Sequence, residues 1–219
     1  MKLLSWRNLI IIVCFIAPFL YLNSVFDSLP ENVALHYRAD MQPDRFGPKE
    51  HLWTTLMIMG GVSFVLLLVI LNIGKIDPKN QLLQSRGVIE KLALTLVIFF
   101  SLLGIYIVYA AGKEIGGNTI FVLLGGLFAV LGNLFHNIKP NYFIGIRMPW
   151  TLENPDNWRK THQLGGKIWV VGGLLMVLIS IFISPSYVFF VNMVILALMV
   201  LIPVVYSYRY YISQKQKSL

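Results

Sequence analysis

The stretch IWVVGGLLMVLISIFISPSYVFFVNMVILALMVLIPVVYSY, residues 168–208, contains no Asp, Glu, Lys or Arg. A helix that crosses a bilayer needs about 20 apolar residues, so this stretch is long enough for two crossings. The triplet Ser184-Pro185-Ser186 interrupts it, and a proline between small polar residues is typical of a tight turn. The stretch therefore predicts two transmembrane helices joined by a turn.

Four other uncharged runs, each of the length of one crossing, precede this stretch: residues 8–26, 51–74, 92–112 and 115–138. Only 13% of the chain is charged, against about 25% in soluble domains. The first run follows Lys2 and Arg7, as in a signal peptide, but no small-residue cleavage site follows it. We therefore predict that it is retained, with Pro18 as a tolerated kink. The fold class that results is all-α, a polytopic membrane protein with a six-transmembrane-helix bundle.

We predict one membrane domain, residues 1–219, divided as follows. The six spans are 8–26, 52–74, 92–111, 119–136, 167–183 and 187–208. The external segments are the loop 27–51 and the turns 112–118 and 184–186. The cytoplasmic segments are the loop 75–91, the loop 137–166 and the tail 209–219.

The distribution of Lys and Arg predicts the orientation. With the N-terminus inside, 14 of the 18 lie in cytoplasmic segments, and only Arg38, Arg45, Lys49 and Lys113 are external. Both termini are therefore expected in the cytosol, at the plasma membrane of a bacterium. The net charge of +8 then reflects membrane topology, so direct nucleic-acid binding is not expected. The single cysteine, Cys14, excludes a disulfide framework and the Cys spacing of metal sites.

The predicted spans contain no Asp, Glu, Lys or Arg, which argues against ion-coupled transport but not against facilitated movement of an uncharged solute. Asn133, His136 and Asn137 share a face at the end of the fourth span. They are interpreted as interhelical hydrogen-bonding groups, with a small polar site as the alternative.

Three pairs of glycines lie seven residues apart near the fourth and fifth spans: Gly125 with Gly132, Gly165 with Gly172, and Gly166 with Gly173. Each pair falls on one face of a helix after two turns, where two backbones can approach closely. We therefore predict that the fourth and fifth spans pack together and hold the loop between them.

The external loop is acidic, so its surface suits a cationic peptide. Its segment VALHY, residues 33–37, is a candidate strand, and QPDRFGPK, residues 42–49, is rich in turn-forming residues. His36, Asp40, Asp44 and His51 raise a metal hypothesis, but their spacing matches no defined metal site, and a solvated loop is the favoured interpretation.

The loop 137–166 contains ENPDNWRKTHQLGG, residues 153–166. It predicts a short helix from Pro155 to about Leu164, with Asn154 as N-cap and Gly165 as the stop. Trp150 and Trp158 are expected at headgroup level, and the basic residues beside anionic lipid. A lipid-anchored loop and a cytosolic docking surface both remain open on these grounds.

The run GN…IKPNYFIGIRMPWTLENPDNWRKTHQLGGK, residues 132–167, resembles the signature of SdpI-type membrane proteins, the immunity proteins of a sporulation-delaying toxin system. That signature reads N-x-K-x-N-Y-F-x-G-I-R-T-P-W-T-L, then a Trp, then T-H-R-x-x-G. The external loop resembles the family's N-terminal module through Leu29-Pro30, His36, Pro43-Asp44 and Lys49. Met148 and Gln163 depart from the inner signature at its Thr and Arg, and Tyr37, Arg38 and Met41 stand where the outer module has Trp, Asn and Gly.

The resemblance implies a non-enzymatic immunity and signalling protein that gives resistance to a secreted peptide toxin and holds a small winged-helix repressor at the membrane. The inner site residues that it implies are Asn133, Lys139, Asn141, Tyr142, Phe143, Gly145, Arg147, Pro149, Trp150, Thr151, Trp158 and His162; the external ones are Pro30, His36, Pro43, Asp44 and Lys49. No cofactor and no catalytic residue is expected, and membrane lipids are expected partners. Homo-oligomerisation stays open.

Two other classes of function remain as alternatives. A small-solute or peptide transporter would use the inner loop as a gate and would need a polar cavity between the helices. A membrane enzyme would need a nucleophile and a base at one depth, and His136 and His162 come with no such partner at a recognisable spacing.

Overall fold

The computed structural model describes residues 5–77, 85–111, 113 and 118–217. The helices are α1 (Trp6–Val25), α2 (His51–Ile76), α3 (Arg86–Ala111), α4 (Asn118–Phe135), the short α5 (Pro149–Leu152), α6 (Pro155–Phe182) and α7 (Pro185–Lys217). A 3-10 turn (Phe26–Ser28) follows α1, and an antiparallel hairpin of β1 (Asn32–Tyr37) and β2 (Pro43–Pro48) precedes α2.

Six of these helices are long and apolar enough to cross a membrane. The protein is thus a polytopic all-α membrane protein, as predicted. Large apolar side chains such as Ile12, Val65 and Leu178 are exposed on the helices, as lipid-facing positions require. The predicted cytoplasmic residues Lys2 and Lys79, and most of the predicted turn 112–118, lie outside the described residues.

The membrane helices form two groups of three, α1–α3 and α4, α6 and α7, which meet where α3 packs on α4. Each group has its own apolar core. Leu22, Leu56 and Val108 are buried where the first group meets the hairpin. Phe121, Met176 and Met199 are buried in the second group.

Glycines bring the backbones of α4 and α6 together, as the sequence predicts. A Cβ atom on Gly132 would lie 2.7 Å from the carbonyl oxygen of Gly166, and one on Gly125 would lie 2.6 Å from that of Gly173. Gly165 and Gly172 face α7 instead: a Cβ atom on Gly172 would lie 2.5 Å from Met199. Helix α6 is thus packed closely on both sides.

The predicted helix stop at Gly165 is wrong. Helix α6 begins at Pro155, as expected, because the Asn154 side chain accepts hydrogen bonds from the backbone N–H groups of Asp156 and Asn157. It then runs without a break to Phe182. Gly165 lies within this helix, where it faces Ile146 of the preceding segment and Pro203 of α7. The last part of the predicted loop 137–166 is therefore the first part of a membrane helix.

The predicted strand at residues 33–37 is confirmed as β1. The segment that was predicted as turns forms β2 instead, with Val33 opposite Gly47 and Ala34 opposite Phe46. Proline at both ends of β2 restricts it to a two-stranded edge, since proline cannot donate a ladder hydrogen bond. Val33, 1% exposed, anchors the hairpin in the core of α1–α3.

Candidate functional site

The signature segment between α4 and α6 is held in shape by its own buried polar side chains. The amide of Asn141 is 1% exposed and fully used. Its Oδ1 accepts from the backbone N–H groups of Phe143 (2.8 Å) and Ile144 (2.7 Å), and its Nδ2 donates to the carbonyls of Lys139 and Ile144. An asparagine that bonds to the backbone two residues on imposes a turn. Asn141 therefore fixes the first bend of the segment.

Two apolar side chains tie this bend to the other half of the protein. Phe143 and Ile144 pack on the core formed by α2 and α3, which includes Ile89 and Val97. The backbone N–H of Lys139 donates to Ser85 Oγ at 3.0 Å, just before α3. The signature segment thus joins the two groups of helices at one end of the bundle.

His162 on α6 receives the next part of the segment. Its Nδ1 lies 2.8 Å from the carbonyl oxygen of Trp158, and its Nε2 accepts from the backbone N–H of Ile146 at 2.9 Å. These two partners require the neutral imidazole with its hydrogen on Nδ1. Gly145, with φ +117°, lies against this ring, and a Cβ atom there would collide with Nε2. The glycine is therefore required both by its backbone conformation and by the position of His162.

Trp158 is completely buried and lies under the same ring. Its indole stacks on His162 with centroids 4.0 Å apart, and its Nε1 donates to the carbonyl of Ile138 at 3.0 Å. The predicted exposure of Trp158 to lipid headgroups is therefore wrong. A tryptophan whose N–H has a buried partner belongs in a core, and here it links the end of α4 to α6.

Thr151 caps the start of the short helix α5. Its Oγ1 accepts from the backbone N–H of Met148 and lies 2.9 Å from the carbonyl oxygen of Ile146. Only the backbone of Met148 takes part in these bonds. This explains why the segment keeps its turn although the family signature has Thr at position 148.

Trp150 connects α5 to the last helix. Its Nε1 donates to Ser207 Oγ at 2.9 Å, and its ring contacts those of Tyr208 and Tyr211. Asn157 is also buried, and its Nδ2 donates to the carbonyl of Ser207 at 3.0 Å. Helix α7 runs past the predicted span end at 208 to Lys217, and this extension carries Tyr211.

A charged cluster lies beside this contact at the start of α6. Asp156 pairs with Arg159 (2.6 Å) and with Lys160 (3.2 Å), and it accepts a hydrogen bond from the Tyr210 hydroxyl. Lys160 Nζ also lies 4.6 Å from the centre of the Tyr210 ring. These two cations are therefore paired with protein groups.

The exposed surface of the signature segment is formed by different residues. Exposed side chains on this face are Lys139, Tyr142, Arg147, Pro149 and Arg159. Arg147 donates to the backbone carbonyl of Tyr142, which places the Arg147 guanidinium beside the backbone of that residue. We call three of these five residues, Tyr142, Arg147 and Pro149, the outer face. Beside it, a cleft of about 610 Å³ is lined by residues that include His136, Lys139 and Gln163.

Asn133, His136 and Asn137 are exposed, which contradicts their interpretation as interhelical hydrogen-bonding groups. Hydrogen bonds between helices involve other residues. Asn192 on α7 donates to Ser180 Oγ on α6 at 3.0 Å, and both side chains are buried. Ser180 thus helps α7 to pack on α6 at the opposite end from the signature.

In the external hairpin, Lys49 supports the structure. It is 8% exposed, pairs with Glu31 at 3.1 Å and lies 5.1 Å from the centre of the Phe26 ring. Pro30 is exposed, and Pro43 opens β2 opposite Tyr37. Lys49 therefore ties the hairpin to the end of α1.

His36 and Asp44 pair across the hairpin at 2.7 Å, and the hydrogen bond from His36 lowers the pKa of the Asp44 carboxyl. Asp40 accepts from the backbone N–H of Gln42 instead. Within the described parts of the chain, no three His, Cys, Asp or Glu side chains form a group that could hold a metal ion.

Sequence reasoning missed the partners on the neighbouring helices. Ser207 and Tyr210 on α7, and Asn157 on α6, make the contacts that fix the segment. Ser207 and Tyr210 lie about 50 residues from their partners in sequence. The sequence signals for these partners were a serine near the end of the last predicted span and a tyrosine at the start of the predicted tail.

In comparisons with known proteins, two family models match two separate parts of the chain. The model of the SdpI/YfhL protein family matches residues 137–207, and that of a domain of unknown function, DUF1648, matches residues 9–60. "Immunity protein SdpI" of Bacillus subtilis (strain 168) is 25% identical over 209 residues, which cover 94% of this chain and 96% of that protein. No solved structure matches the chain significantly.

The two matched segments lie in different groups of helices. The DUF1648 match covers α1, the hairpin and the first part of α2, and the other match runs from the signature segment through α6 into α7. The resemblance is therefore confirmed: residues 137–207 of this multi-pass membrane protein match the SdpI/YfhL family model, residues 9–60 match the DUF1648 model, and the chain as a whole is similar to an SdpI immunity protein.

Proposed function

We propose that this protein is a non-enzymatic immunity protein of a bacterial plasma membrane that gives resistance to a secreted peptide toxin. Its similarity to an immunity protein extends over 94% of the chain, so both the hairpin and the signature segment have counterparts in that relative. In this proposal the hairpin is the external side, and the signature segment serves the cytosol.

We further propose that the outer face holds a cytosolic transcriptional repressor while toxin is present. The observation that supports this is the separation of roles within the signature. Asn141, Thr151, Trp158 and His162 are at most 1% exposed and hold the backbone, whereas Tyr142 and Arg147 are exposed and joined to each other. An exposed aromatic residue beside an arginine is typical of residues that dominate protein interfaces.

The test changes two residues of the outer face and leaves the buried residues that hold the backbone unchanged. Tyr142→Ala with Arg147→Ala, expressed in a toxin-sensitive host, is expected to abolish survival at unchanged membrane levels. Arg209→Ala removes another exposed arginine near the same end of the bundle and is expected to keep protection. Full protection by the double variant would refute the role of the outer face.

A second readout separates protection from signalling. A fluorescent fusion of the small regulator would be followed in cells with and without toxin. Movement of the regulator to the membrane with the native protein, and not with the double variant, is the expected result. A regulator that stays in the cytosol in both strains would contradict the repressor proposal and leave resistance as the function.

A further inference from the structure

A second cleft lies at the ends of α1, α2 and α3. It has a volume of about 380 Å³ and is lined by Arg7, Lys75, Arg86 and Glu90 together with apolar residues of α2 and α3. Arg7 and Arg86 stand in the first turns of α1 and α3, and Lys75 in the last turn of α2. The cleft therefore brings together charged residues from three different helices.

The charges in this cleft do not balance. Glu90 accepts from Arg7 Nη1 at 2.6 Å and from Arg86 Nε at 3.2 Å, so its two oxygens are divided between the two arginines. One carboxylate thus faces three cations among the lining residues. Each guanidinium has five N–H donors, and Glu90 engages one nitrogen of each. The cleft consequently keeps a positive charge and donors suited to an oxyanion.

The rest of the lining forms an apolar wall. It consists of Ile70, Leu71, Ile73 and Ile89 together with Gly74. Leu71 is 48% exposed on the side of α2, which is a lipid-facing position in a membrane helix. A soluble anion without an apolar part would gain no binding free energy from this wall, whereas an acyl chain would pack on it.

The depth of the cleft agrees with a lipid headgroup. Trp6 precedes Arg7 and is 72% exposed at the start of α1, and exposed tryptophan is enriched at the membrane–water interface. Basic pockets between transmembrane helices are known to bind anionic headgroups. The distribution of Lys and Arg predicts that this end faces the cytosol.

We propose that the cleft formed by Arg7, Lys75 and Arg86 is a binding site for a phospholipid with an anionic headgroup. Its phosphate accepts hydrogen bonds from the cations, and an acyl chain lies along Leu71 and Ile73. Bound there, the lipid bridges α1, α2 and α3 at the end where the ion pair between Arg7 and Glu90 joins α1 to α3. This inference does not depend on the proposed immunity function.

The test uses the full-length protein in nanodiscs of phosphatidylcholine with increasing phosphatidylglycerol. Native mass spectrometry counts bound lipid, and thermal unfolding reports stabilisation. The variant Lys75→Gln with Arg86→Gln keeps the bond between Arg7 and Glu90, which protects the fold. With about 1 kcal/mol for each cation, phosphatidylglycerol affinity is expected to fall at least about tenfold, while the unfolding midpoint in pure phosphatidylcholine is unchanged.

Two controls decide the result. Arg209→Gln removes a charge near the same end outside the cleft and is expected to keep the native phosphatidylglycerol affinity. Glycerol phosphate, which has the anion without acyl chains, is expected not to compete. Equal affinity of the double variant and the native protein, or competition by glycerol phosphate, would overturn the proposal.

Discussion

At the residue scale, Gly145 shows how one position combines a backbone and a side-chain requirement. Its φ of +117° is rare for residues with a side chain, and a Cβ atom there would strike the imidazole of His162. Gly145→Ala is therefore expected to lower the free energy of unfolding by about 2 kcal/mol. Thermal unfolding in one detergent measures this, with Gly87→Ala, which meets no atom within 4 Å, as control. An unchanged midpoint for Gly145→Ala would contradict the geometry.

Met41 carries strain that the family's glycine would avoid. It is the non-glycine residue with positive φ, 61°, among those the structure describes, and its side chain packs on the core of α4, α6 and α7. Met41→Ala removes this contact and keeps the strain, whereas Met41→Gly removes both. Met41→Gly is thus expected to be more stable than Met41→Ala by about 1 kcal/mol, as measured by chemical unfolding. The opposite order would show that the backbone relaxes freely at this turn.

At the element scale, the contact of α4 with α6 depends on glycines that face each other. A Cβ atom on Gly132 would lie 2.6 Å from the backbone nitrogen of Val170 and 2.7 Å from the Gly166 oxygen, so neither neighbour can yield by rotation. Gly132→Ala is expected to cost about 1–3 kcal/mol. Gly126→Ala on the same helix meets no atom within 4 Å and is expected to be neutral or stabilising. The two unfolding midpoints compared in one detergent test the pair, and equal midpoints would contradict it.

At the scale of the whole molecule, the hairpin and the signature segment are expected on opposite sides of the membrane. In a Cys14→Ser background, a membrane-impermeant maleimide is expected to label Arg45→Cys in intact cells and to leave Arg147→Cys unlabelled until the cells are permeabilised. Both positions are exposed, so accessibility differs only through the bilayer. Labelling of Arg147→Cys in intact cells would invert the topology and the assignment of toxin and repressor to their sides.

The sequence alone determined the features that depend on local composition. The six spans, the Asn154 cap at the start of α6, strand β1 and the close packing of α4 on α6 could all be predicted. Length, charge and glycine spacing are properties of a short segment, and the bilayer or the next helix converts them directly into structure.

Only the tertiary structure decided how the candidate site is divided into scaffold and surface. Trp158 and Trp150 look alike in sequence, yet Trp158 is buried against His162 while Trp150 bonds to Ser207 on α7. Gly165 lies inside α6, where it faces Ile146 and Pro203. The Trp158 N–H bonds to Ile138 after α4, the Trp150 N–H bonds to Ser207 on α7, and the N–H of Ile146 selects the neutral tautomer of His162. These hydrogen bonds arise only when separate segments of the chain meet.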